Sequence, residues 1–126
     1  MSRRTTGGGL RYPKQKTRAK RQSHAKRSIL QKPADRKRCW LCMSRNHDYS
    51  EKQVLHKHHA FGGPLRSMSE EQGFFVWLCP YHHVMGRDAV HNNPAVNRIL
   101  QQQIQRMYEA SHTRREFMLL AGRSYL

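Results

Sequence analysis

The sequence predicts a small α+β domain, stabilised by zinc, with helices at its C-terminal end and a disordered basic arm in front. Three observations carry this expectation. Apolar residues make up only 37% of the 126 residues, so the core is thin and needs a metal or another staple. The stretch FFVWLC, residues 74–79, has the aromatic and β-branched character of a strand, whereas apolar residues after Pro94 recur at helical spacing. Two half-sites with the same two-residue gap, Cys39/Cys42 and Cys79/His82, together offer one tetrahedral zinc set.

The arm comes first. Residues 1–38 hold 14 of the 24 Lys and Arg and a single acid, Asp35, for a net charge of +13, against +3 for residues 39–126. A segment this polar cannot bury enough surface to offset its ordering entropy. The expected division is therefore a disordered arm over 1–38 and a folded domain over 39–126. So uneven a charge points to a polyanion. Arg3, Arg4, Lys14, Lys16, Arg18, Lys20, Arg21, Lys26 and Arg27 would meet phosphates of DNA without reading bases. A helical patch over roughly 17–30 could form against such a partner.

Compartment follows from what the chain lacks. It has no apolar run long enough for a membrane span, and its basic start lacks the apolar region of a secretory signal. Three cysteines, an odd number, argue for metal binding in a reducing compartment rather than for disulfides. A cytoplasmic location is expected.

Along the domain, residues 39–50 read as a knuckle-like turn and 53–59 as a strand. Residues 60–73 read as a loop opened by Gly62, Gly63 and Pro64. The second strand, 74–79, is bounded by Gly73 and Pro80, and a short helix can start at Pro80. Pro94 opens a longer helix capped by Asn93, with Val96, Ile99, Leu100, Ile104, Met107 and Tyr108 as its apolar stripe. Thr113 and Glu116 match a capping box ahead of Phe117, Leu119 and Leu120, and Gly122 can end that helix.

The histidines then need owners. Cys39, Cys42, Cys79 and His82 form a closed structural zinc set, with 36 residues between its halves. His83 follows His82 directly, so its ring points elsewhere and is free for a second site. His58 and His59 diverge in the same way, because neighbours on a strand face opposite sides. His58, His83 and His91 thus make a nitrogen-only set with open positions, the arrangement of catalytic rather than structural metal sites. His59, unligated and adjacent, can serve as general base. His56 reads as incidental, and His24, His47 and His112 as surface residues. The roles of His82 and His83 could also be exchanged.

These residues resemble a known pattern. CxxC, then His-His followed by glycines, then a strand, then LCxxHH is similar to the HNH endonucleases, whose core is a ββα-metal motif. The resemblance implies His58 as a ligand of the catalytic metal, His59 as the residue that activates water, and His83 as the ligand that opens the helix. The asparagine that the family carries before its second strand has no counterpart near Gly73. WLCPYHHVMGRDAVHNNP and EFMLLAGRSYL further resemble the phage-encoded, RecA-dependent recombination-enhancement nucleases, over roughly residues 39–126. That likeness implies a phage or prophage protein in a bacterial host, acting on DNA where a RecA filament has formed.

The expected function is metal-dependent hydrolysis of DNA. His59 would take a proton from water, and a divalent ion, Mg2+, Mn2+ or Zn2+, would sit on His58, His83 and His91 beside a structural Zn2+. Family chemistry implies 5′-phosphate and 3′-hydroxyl ends. Two rivals share the charge and the cysteines: a non-catalytic zinc-stapled nucleic-acid binding module, and a ribosome-associated zinc protein.

Overall fold

The computed structural model describes residues 27–126. Arg3, Arg4, Lys14, Lys16, Arg18, Lys20, Arg21 and Lys26 lie outside the described residues, as does most of the expected helical patch. Residues 27–38, assigned to the arm on polarity and charge, are built into the domain. Ser28 Oγ donates to the Phe75 carbonyl and Ile29 N–H to the Gly73 carbonyl at 2.8 Å. Gln31, buried among charged neighbours, accepts the Trp77 N–H at 2.7 Å. Arg27–Leu30 are not helical, and the turn that follows, Pro33–Asp35, is a single 3-10 turn. Composition obscures this docking because only Ile29 and Leu30 of the segment pack against the core, and the rest of the anchoring is hydrogen bonding from Ser28, Ile29 and Gln31, which carries no apolar period.

From there the order is α1 (Trp40–Asn46), β1 (His56–His59), α2 (Arg66–Gln72), β2 (Phe75–Leu78), a π-helical turn (Tyr81–Met85), α3 (Pro94–Glu109) and α4 (Arg114–Ala121). The expected knuckle at 39–50 is a real helix. Cys39 caps it by accepting the Cys42 N–H on its sulfur, and His47 ends it in the left-handed conformation. The expected loop at 60–73 contains α2. RSMSEEQ has good helix formers but no apolar stripe. Its one buried residue is Ser69, whose hydroxyl donates to the Phe61 carbonyl at 2.8 Å. The second strand, the Asn93 cap and the Thr113–Glu116 capping box stand where the sequence places them, while the first strand begins only at His56 rather than at 53.

β1 and β2 pair antiparallel, with His56 opposite Leu78, Lys57 opposite Trp77, His58 opposite Val76 and His59 opposite Phe75. Opposed residues share a face of the sheet. One face therefore carries His56, His58, Val76 and Leu78, and the other Lys57, His59, Phe75 and Trp77. The first face closes on the core. Phe61, Phe74 and Phe117 meet there at ring separations of 5.8–6.0 Å, with Leu100, Ile104 and Tyr108 from α3. Tyr125 folds back onto Phe61 at 5.0 Å, and its N–H donates to the fully buried Gln105.

Gly73 joins α2 to β2 at φ +79, with the Arg27 carbonyl where a side chain would begin. A Gly73→Ala change meets both a left-handed backbone and a rigid carbonyl. It is expected to destabilise the fold by more than about 1 kcal/mol, read as a lower denaturant midpoint at unchanged slope.

Candidate metal centres and the adjoining cleft

The first centre is assembled by α1 and the segment after β2. Cys39 and Cys42 sit one turn apart at the start of α1. Cys79 leaves β2, and His82 lies in the π-helical turn. His82 Nδ1 is 3.5 Å from Cys39 Sγ, 3.4 Å from Cys42 Sγ and 3.4 Å from Cys79 Sγ, and the sulfurs of Cys42 and Cys79 are 3.9 Å apart. A tetrahedral ion with sulfur at about 2.3 Å and nitrogen at about 2.0 Å spaces S from N by about 3.5 Å and S from S by about 3.8 Å. The four donors match that spacing. This Cys3His group can hold a metal such as zinc. With no metal, burial and then the neighbouring thiols push Cys42 up to about 12, and burial raises Cys39 as well. Binding there must displace those protons.

The second group is His58, His83 and His91, whose candidate ligand atoms all lie within 4.8 Å of one another. These two are the groups of at least three metal-ligating side chains among the described residues. His83 Nε2 and His91 Nε2 are 3.1 Å apart, within the range for two nitrogens on one ion at about 2.0–2.1 Å. The eight-residue gap between them closes because the helical turn stops at Gly86 and the chain doubles back, so that the His91 N–H reaches the His83 carbonyl at 3.3 Å. Gly86 suits this close approach: a β-carbon there would lie 2.7 Å from the exposed Tyr81 ring, which would have to swing aside.

Neighbours fix the imidazoles. Asn97 Oδ1, which can only accept, lies 2.9 Å from His58 Nε2. That nitrogen therefore carries the hydrogen and Nδ1 keeps its lone pair. Burial, against the pull of Asn97, drives His58 down to about 4, so it is neutral near pH 7, as a ligand must be. His83 is lowered by burial and then by His91 and His56. Its Nδ1 is 2.9 Å from His56 Nδ1. His56 is thus not incidental: strand alternation puts it on the His58 face, where it meets the back of the His83 ring. A hydrogen shared there leaves His83 Nε2 free for an ion.

His59 faces the other way, as alternation requires. Its Nε2 is 2.7 Å from Glu70 Oε1, and Lys57 Nζ reaches the same carboxylate at 3.1 Å. Burial pulls Glu70 upward, but the hydrogen bonds from His59 and Lys57 outweigh it and hold the carboxyl below its ordinary range. His58, His59, His83 and His91 nonetheless border one cleft of about 290 Å3, together with Lys57, Gly62, Gly63 and Arg66. Among the described residues, the charged ones at its rim, Lys57 and Arg66, are cations.

Glu70, Asn97 and His56 had escaped the sequence reading. Glu70 and Asn97 lie in helices, 11 and 39 residues from their histidines, with no motif to link them. His56 was legible, since residues two apart on a strand share a face. No helix among the described residues is long and apolar enough to cross a membrane. Comparison with family models, with characterised proteins and with solved structures found no match.

Proposed function

We propose that this chain is a metal-dependent DNA endonuclease of the HNH type. The observation that carries the reading is the shared cleft: an open three-imidazole cradle and a carboxylate-held histidine border one cation-rimmed space. His58, His83 and His91 would hold a divalent cation, which supplies Lewis acidity toward a phosphodiester and its departing oxygen. Asn97 and His56 set the direction of the ligating lone pairs. His59, with Nε2 committed to Glu70, keeps Nδ1 to take a proton from the attacking water. Glu70 fixes that tautomer and stabilises the imidazolium that results. Lys57 and Arg66 receive the phosphate. Glu70 thereby fills the orienting role for which the family's asparagine is missing.

An all-imidazole cradle suits zinc, while Mg2+ and Mn2+ prefer oxygen donors; Zn2+ is the favoured ion of the three. Action on DNA within a RecA filament, in phage recombination, is the finer form of the same proposal and rests on the family likeness. The test is nicking of supercoiled circular DNA by the full chain across Mg2+, Mn2+ and Zn2+, with and without RecA and ATP. Metal-dependent relaxation of the circle is expected. Intact circles under every condition, with tight DNA binding retained, would instead establish the rival zinc-stapled binding module.

A further inference from the structure

A second cavity, of about 220 Å3, lies between residues 27–36 and β2, lined by Arg27, Ser28, Gln31, Lys32, Pro33, Arg36 and Trp77. Neither metal centre uses any of these residues. Arg27, Lys32 and Arg36 are exposed, and none of them is in an ion pair among the described residues. Among the described residues, no carboxylate lines the cavity. Its wall is built rather than incidental. Gln31 is 5% exposed, accepts the Trp77 N–H at 2.7 Å, and donates to the carbonyls of Asp35 and Arg38 at 3.3 and 3.0 Å. This holds the cationic turn against the strand that carries the indole.

Register ties this cavity to the cleft. Trp77 is opposite Lys57 and Phe75 is opposite His59, so all four share one face of the sheet. Lys57 bridges the two places: it borders the cleft, and its Nζ lies 5.5 Å from the centre of the Trp77 ring. Cations continue on either side, Arg66 at one end and Lys32 and Arg36 at the other.

We infer that this cavity is a subsite for one nucleotide of a single DNA strand, with the base stacked on Trp77 and the flanking phosphates on Arg27, Lys32 and Arg36. The chemistry is that of single-strand binding grooves, in which a cationic track follows the backbone and an aromatic ring accepts any base. A duplex base is already stacked on its neighbours and cannot enter. The role as a substrate track leading to His59 rests on the proposed nuclease reading; the binding itself does not.

The test measures binding of a labelled oligothymidylate of about ten nucleotides to the full chain without added divalent cation, so that no cutting intervenes. Trp77→Ala is expected to weaken binding by roughly 5- to 150-fold, and Trp77→Phe to restore most of it. Lys32→Ala and Arg36→Ala should each lower the salt slope by about 0.7. A folded Trp77→Ala protein that binds within about twofold of the parent overturns the proposal. So does a duplex of equal length whose binding depends on Trp77 to the same degree. Should the alanine variant fail to fold, the Lys32→Ala/Arg36→Ala double variant decides, and unchanged affinity and salt slope in it refute the subsite. Trp77-dependent binding by a chain that never nicks DNA would keep the subsite and discard the nuclease. Nicking without Trp77-dependent binding would do the reverse.

Discussion

Replacing Cys42 with serine is expected to cost the domain its native fold. The reason lies in the relative sizes of two terms. Zinc binding to structural sites in finger peptides contributes roughly 10–16 kcal/mol, while a whole domain is stable by about 5–15 kcal/mol. Cys42 belongs to α1, and its partners Cys79 and His82 follow β2, so the ion would close a long loop that the thin core does not close alone. The thiol must also be deprotonated to bind, against burial and neighbouring sulfurs that push it up to about 12. Acidification should therefore release the metal before it titrates the rest of the fold. Zinc content and thermal melting by circular dichroism check both points. Cys42→Ser should carry less than one zinc per chain and melt without cooperativity, and a chelator should bring the parent to the same state. A serine variant that melts like the parent, with the parent indifferent to chelator, would show that the sulfur centre contributes nothing to stability.

His59→Ala should lower nicking by roughly a hundred- to ten-thousand-fold, the usual range for a general base, while fold, zinc content and DNA affinity stay near the parent's. The partly buried His59 ring rests beside Phe75 at 5.9 Å, so truncation opens only a small gap. Glu70→Gln separates positioning from proton transfer. Glutamine can still accept from His59 Nε2 but removes the negative charge that favours the imidazolium. Its plateau rate should fall less than that of His59→Ala, and the acidic limb of its pH–rate profile should move to lower pH. An unchanged limb would mean that Glu70 serves the α2 packing alone. Undiminished nicking by His59→Ala would remove His59 from the reaction.

What the sequence disclosed and what it hid have different physical origins. Both groups that could hold a metal ion, Cys39–Cys42–Cys79–His82 and His58–His83–His91, were legible because residue type and divergence of neighbours constrain them locally. So were α3 and α4, from their caps and from Val96, Leu100, Ile104, Tyr108 and Phe117, which are buried; Ile99, Met107 and Leu119 of the expected stripes are instead exposed. The fold class holds at that level: a small α+β domain with a two-stranded antiparallel sheet and a Cys3His group fit for zinc. The docking of residues 27–38 and the helix α2 were hidden because few apolar residues, Ile29, Leu30 and Met68, pack them against the core and polar contacts supply the rest. Ser28, Gln31 and Ser69 anchor by hydrogen bonds to distant backbone, and no periodicity records a bond across 46 residues. Glu70 and Asn97 were invisible for the same reason: each reaches its histidine only after the chain has folded.

His82 and His83 are joined by one peptide bond, yet one belongs to the sulfur centre and the other to the open cradle. The two cations would thus hang on a single hinge of backbone. Stripping the sulfur centre would therefore undo the turn, scatter the cradle and silence the chemistry next door. In a turnover assay that loss would masquerade as capture of the reactive ion alone.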